Sequence, residues 1–122
     1  MPKLINIGLL DDHQIVIDGL IALLKNVENI EVKFVCNDSM TIEEKLSATN
    51  IDILLTDVMM PGRNGFEVAK IIREQFPTLK VIVLTMSDNG KHIKAMIDEA
   101  HIDGYLLKTC SKVGLVKAIE TV

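Results

Sequence analysis

The 122-residue chain has no tryptophan, one tyrosine and three phenylalanines, so it offers little for nucleobases to stack on. It also lacks a basic excess. Thirteen Lys and Arg against seventeen Asp and Glu give a net charge of −4, which argues against a face that binds nucleic acid directly. No apolar run approaches the ~18 residues of a membrane-spanning helix. The N-terminal stretch lacks the charged-then-apolar layout of a secretory leader, so the expected location is cytoplasmic, without membrane contact. Cys36 and Cys110 share no metal-ligand spacing and read as two thiols instead of a disulfide. No P-loop or Gly-x-Gly-x-x-Gly, internal repeat, low-complexity segment or domain linker is present. What remains is one domain, 48% hydrophobic, with enough apolar residues for a real core.

Short apolar runs supply the organisation. Ile51-Asp-Ile-Leu-Leu-Thr-Asp57 ends on a carboxylate and breaks at Pro61-Gly62. Such a run, bounded by turn residues, reads as a strand buried on both faces of a parallel sheet. Leu4–Leu10 is a second run, stopped by Asp11 and Asp12. Ile30–Cys36 alternates enough to be a strand with one wetter face, at a sheet edge. Lys80–Thr85 and Gly104–Leu107 complete five strands, the last ending on Lys108. Helices are expected between them. Ile17, Leu20, Ile21 and Leu24 mark the first, over residues 13–25, and Gly19 within it implies close packing at that point. Thr41-Ile-Glu-Glu44 fits a capping box that opens a helix to Ala48. Phe66, Ala69, Ile72 and Phe76 mark a third helix, ended by Pro77. A fourth is expected from Lys91 to Ala100, and a fifth after the cap Ser111. The expected fold is therefore α/β: a doubly wound, five-stranded parallel sheet with strand order 2-1-3-4-5.

In a parallel sheet every carboxyl end lies on one edge, with neighbouring strands ~4.8 Å apart. Asp11, Asp12, Asp57, Thr85 and Lys108 should therefore converge from four segments. Three carboxylates so close repel one another unless a cation joins them. Hard oxygen ligands suit Mg2+. Lys108 and Thr85 suit the non-bridging oxygens of a phosphoryl group on Asp57, since a carboxylate can attack phosphorus to give an acyl phosphate.

With Asp57-Val-Met-Met-Pro61-Gly and Gly104-Tyr-Leu-Leu-Lys108, these positions resemble the receiver domain of two-component response regulators along essentially the whole chain. The resemblance implies that Asp57 is the phosphoacceptor, modified by a sensor histidine kinase in a phosphorelay. It implies Mg2+ on the side chains of Asp12 and Asp57, on the Met59 carbonyl, and on Asp11 largely through water. Thr85 and Tyr105 are then the switch residues, and Lys108 pairs with the phosphate. Leu10-Asp-Asp-His13, Gly19-Leu-Ile-Ala-Leu-Leu24 and Leu107-Lys-Thr109 are similar to LuxR/NarL-type regulators. Those act on DNA through a helix-turn-helix domain that this sequence does not contain. Residues 1–122 then read as the receiver part of a longer transcription regulator, capable of forming a homodimer. One departure is Lys108-Thr109, where the family commonly has Lys-Pro with a cis peptide, a geometry that costs ~3 kcal/mol before other residues.

Other readings are weaker. A haloacid-dehalogenase-like phosphatase needs a second acid two residues after the nucleophile, where Met59 stands. A flavodoxin-like FMN carrier needs a phosphate loop after the first strand, where Asp11-Asp12 would repel the phosphate. An enzyme with turnover is therefore not expected. His13, His92 and His101 show no ligand pattern and read as solvated helix or loop residues.

Overall fold

The computed structural model describes residues 4–57, 65–85, 98, 102–108 and 111–122, with only the backbone of 65 and 66. Five strands, β1 (Ile5–Leu10), β2 (Ile30–Cys36), β3 (Ile53–Asp57), β4 (Lys80–Thr85) and β5 (Gly104–Leu107), form one sheet in the order β2-β1-β3-β4-β5. Every pairing is parallel. The fold class and strand order are those the sequence predicts. The helices are α1 (Gln14–Leu24), α2 (Ile42–Ala48), α3 (Gly65–Gln75) and a C-terminal helix (Lys112–Thr121). The helix expected over 91–100 lies, except for Asp98, outside the described residues.

Period-two alternation sorts the apolar side chains onto two faces. Ile7, Leu9, Ile53, Leu55, Ile82 and Leu84 pack with Ile17, Leu20 and Leu24 of α1 and with Leu115 and Ile119 of the C-terminal helix. Leu10, Leu54, Val81 and Val83 pack on the other face with Ile42 and Leu46 of α2 and with Val68, Ala69 and Ile72 of α3. β3 is buried along its whole length because strands and helices cover both sides. Edge strand β2 alternates between buried and exposed positions, as its sequence suggested.

Two glycines behave differently from each other. A Cβ on Gly8 would lie 2.5 Å from the Phe34 ring, which rests directly on the β1 backbone. The register slips there, from Ile7 opposite Val32 to Gly8 opposite Phe34, so Lys33 is the extra residue of a bulge. Gly19, expected to be a close contact, is exposed, and a Cβ there would meet nothing within 4 Å. It sits on the outer face of α1, where Ile21 is also partly exposed.

The capping box is corrected as well. Thr41 makes no side-chain cap bond to α2; its hydroxyl donates to the Asp38 carbonyl at 3.0 Å. A 3-10 turn, Ser39–Thr41, precedes α2, and the Asp38 carboxylate caps that turn by accepting from Met40 N. The Thr41 oxygen is turned back toward Asp38 and is lost to the helix. Ser111 does cap the C-terminal helix, accepting from Gly114 N at 3.2 Å.

Candidate functional site

The strand ends deliver the site. Asp57 is the last residue of β3 and pairs in register with Leu84, one residue before Thr85. Lys108 follows β5, and its N–H donates to the Thr85 carbonyl at 2.8 Å, which extends the ladder by one step. On the other side, Asp11 N donates to the Cys36 carbonyl at 3.1 Å, fixing the turn from β1 into α1. The backbone at the ends of β1, β3 and β5, with β4 between the last two, thus sets the positions of two acids and a lysine before any side-chain contact forms.

The side chains close the site. Lys108 Nζ lies 2.9 Å from Asp57 Oδ1 and 3.0 Å from Asp11 Oδ2, with all three side chains at most 4% exposed. Burial alone would lower the pKa of the ammonium. Hydrogen bonds to Asp57 and Asp11, and their charges, outweigh it and leave the lysine above its usual range. Lys108 therefore stays cationic throughout the neutral range.

His13 stands at the rim of the cup, and the sequence reading of it as a solvated helix or loop residue holds only for its exposure. Its ring is 57% exposed, as a solvated residue should be, yet Nδ1 reaches into the acids. It lies 2.9 Å from Asp11 Oδ1, 3.1 Å from Asp12 Oδ1 and 3.5 Å from Asp57 Oδ2. Lys108 Nζ is 3.4 Å away. The cause is local: Asp11 Oδ1 also accepts from His13 N at 2.8 Å, an Asx turn that folds the chain back at the start of α1. His13 is the extended residue before that helix, which lets its ring lean over the cup. An Asp two residues before the residue that precedes the helix is the signal that could have found it. The Asp11 hydrogen bond is the largest influence on this imidazole; Lys108 opposes it, and the charges of Asp12 and Asp11 add to it. The net effect raises the histidine above 6.5.

Asp11, Asp12, His13 and Asp57 each present one donor atom, and those atoms lie within 4.8 Å of one another. Three hard carboxylate oxygens in that space fit a small divalent cation. The sequence-predicted Asp11, Asp12, Asp57 and Lys108 are thus brought together. Thr85 stands on the same edge, one residue past the partner of Asp57. Tyr105 pairs with Val83 on β5 and is 42% exposed, two residues before the strand's end. Met59 and the Lys108-Thr109 bond, expected in the site, lie outside the described residues. Beside the cup opens a cleft of about 450 Å3 lined by His13, Gln14, Ile15, Val16 and Lys108, most of it apolar.

Comparison with known proteins agrees with this geometry. Residues 7–120 match the family model described as the response regulator receiver domain. The chain is 36% identical over 119 residues to the transcriptional regulatory protein LnrK of Bacillus subtilis, covering 98% of this chain and 54% of that protein. It is 34% identical over 117 residues to the transcriptional regulatory protein RcsB of Escherichia coli K12, covering 93% and 54%. The chain therefore spans about half the length of these curated relatives. The isolated receiver domain of RcsB from Salmonella enterica serovar Typhimurium, solved with the phosphomimetic BeF3−, superposes with a TM-score of 0.89 at 33% identity. That match covers 97% of this chain and 87% of the other. Sheet order, acids and lysine at one sheet edge, and a match along nearly the whole sequence have one reading: the chain belongs to the response regulator receiver family, a signalling domain of two-component systems and not a conventional enzyme.

Proposed function

We propose that Asp57 accepts a phosphoryl group from a sensor histidine kinase and that the change at this edge switches an output, which is transcription. The observation that carries this reading is the Asp57–Lys108–Asp11 cluster, in which a buried carboxylate is held 2.9 Å from a buried ammonium. One Asp57 oxygen attacks phosphorus, forming the O–P bond of an acyl phosphate as the bond to the donor imidazole breaks. Lys108 stays beside the transferred group and balances charge on its non-bridging oxygens. Thr85 offers a hydroxyl from the neighbouring strand, and Tyr105 relays the state along β5. Asp11, Asp12 and Asp57, with the Met59 carbonyl, would hold Mg2+. Such an ion, when bound, supplies charge neutralisation for the phosphoryl oxygens.

LnrK and RcsB are named transcriptional regulatory proteins, and RcsB has been solved as dimers bound to DNA, which supports a transcriptional output and a homodimer for the longer regulator of which this domain would be part. Among the described residues no helix is long and apolar enough to cross a membrane. Slow loss of the phosphoryl group by hydrolysis at Asp57 would reset the switch.

The test is direct phosphorylation. Acetyl phosphate with Mg2+ should add the mass of one phosphoryl group, stable in acid and labile in base. Asp57→Asn should abolish the addition. Label persisting in that variant would place the acceptor elsewhere and defeat the assignment.

A further inference from the structure

The family resemblance accounts for the acids of the cup by an all-oxygen ion site, but it gives no role to His13. The distances in the cup do. Adjacent ligands of an octahedral ion at ~2.1 Å stand ~3.0 Å apart. His13 Nδ1 is 2.9 and 3.1 Å from oxygens of Asp11 and Asp12, and 3.5 Å from Asp57. The 2.9 Å contact is a hydrogen bond in this structure, and the set also matches the spacings of neighbouring ligands around one centre. In the tautomer that carries its proton on Nε2, Nδ1 presents a lone pair to the same point as the three carboxylates. The ring already leans over the cup, with Nδ1 held 2.9 Å from Asp11 Oδ1, and an ion bound there would take the place of the Nδ1 proton.

We propose that His13 Nδ1 is a nitrogen ligand of this cup, and that the chain consequently binds a first-row transition ion such as Co2+ or Zn2+ more tightly than Mg2+. Imidazole is a borderline donor with strong affinity for such ions, whereas Mg2+ takes oxygen and releases water reluctantly. Three carboxylates without the ring would leave the choice to hard-ion chemistry. With it, the site is mixed nitrogen and oxygen, and the ring's 57% exposure leaves Nε2 room to meet solvent. The inference rests on the reading of the cup as a divalent-ion site and deepens it by naming the residue that sets ion choice.

The experiment compares Co2+ and Mg2+ binding by calorimetry on the 122-residue chain and on His13→Ala and His13→Gln. Proton NMR of the Co2+ form runs in parallel. Losing an outer-shell partner of a metal typically costs ~10–100-fold, so losing a direct ligand should weaken Co2+ by at least about tenfold. Mg2+ affinity should fall much less. The wild-type Co2+ form should show a hyperfine-shifted, exchangeable imidazole N–H resonance that both variants lack. Both variants should fold, since His13 makes no side-chain cap to α1; the wild-type resonance stands as evidence even if one does not. Absence of that resonance with Mg2+ still bound would overturn the proposal and leave the cup reading intact. So would equal weakening of both ions, or tighter Mg2+ binding in His13→Ala, which would make the ring a mere occupant of the cup. Failure of the wild-type chain to bind either ion would overturn the cup reading as well.

Discussion

Three carboxylates crowd one sheet edge, and Lys108 is the cation that lets Asp11 and Asp57 sit almost fully buried there. Removing one partner of a buried ion pair leaves the other charge uncompensated, which costs more than the pair itself contributes. Lys108→Ala should therefore destabilise the chain by ~3 kcal/mol in chelator at neutral pH. Added Mg2+ should restore part of the loss, because an ion that binds only the folded state stabilises it by mass action. Denaturant melts with and without Mg2+ measure both effects. His13 gives a pH signature in the metal-free chain. Its pKa is raised above 6.5 in the folded state, so its contribution to stability is complete below 6.5 and disappears as pH rises through the raised value. An NMR titration of the ring should show a midpoint above 6.5, and Asp11→Asn should bring it back down. Asp11, Asp12, Asp57 and Lys108 were legible in the sequence because each follows or ends an apolar run whose direction the sheet dictates. His13 was not, since its position depends on a side-chain-to-backbone bond that no periodicity encodes.

At the scale of the element, the strands were legible to within two residues, the largest difference being β3, which begins at Ile53 and not at Ile51. β-branched runs bounded by acids, glycine or proline admit few alternatives, and β4 and β5 have the bounds expected. Helix ends and glycines were less so, because they depend on which of several nearby acceptors a hydroxyl chooses and on what packs outside the element. Thr41 shows the first case and the two glycines show the second. Gly19 faces open space, so Gly19→Ala should stabilise the chain by about 1 kcal/mol through the propensity difference alone. Gly8 lies under the Phe34 ring, so Gly8→Ala should destabilise it by ~1–3 kcal/mol, the usual cost of overpacking. Phe34→Leu should relieve part of that cost if the ring is the obstacle. Thermal melts of the variants, including the double variant, decide the matter, and equal effects at both glycines would show that backbone freedom outweighs packing.

For the whole molecule, the question is how an event at one edge reaches a partner. The two cores are separate layers, and the sheet is shared by both. A displacement at Thr85 or Lys108 can therefore pass along β4 and β5 without rebuilding either core. Among the described residues, Tyr105 and Leu107 are exposed apolar residues on β5 itself, while Val113 lies at the start of the C-terminal helix, 77% exposed. Burying such residues on self-association would be favourable, and a switch need only tilt that equilibrium. Allosteric couplings are typically ~1–3 kcal/mol, which corresponds to a change of ~5–150-fold in a dimer dissociation constant. Sedimentation of the chain with BeF3− and Mg2+ should therefore show a shift toward dimer of that size, absent in Asp57→Asn. Val113→Asp should weaken the dimer if the C-terminal helix forms part of the contact, and Tyr105→Ala should do so if β5 does. Identical mass distributions with and without BeF3− would mean that phosphorylation is read by a partner of different sequence and not by a second copy of this domain.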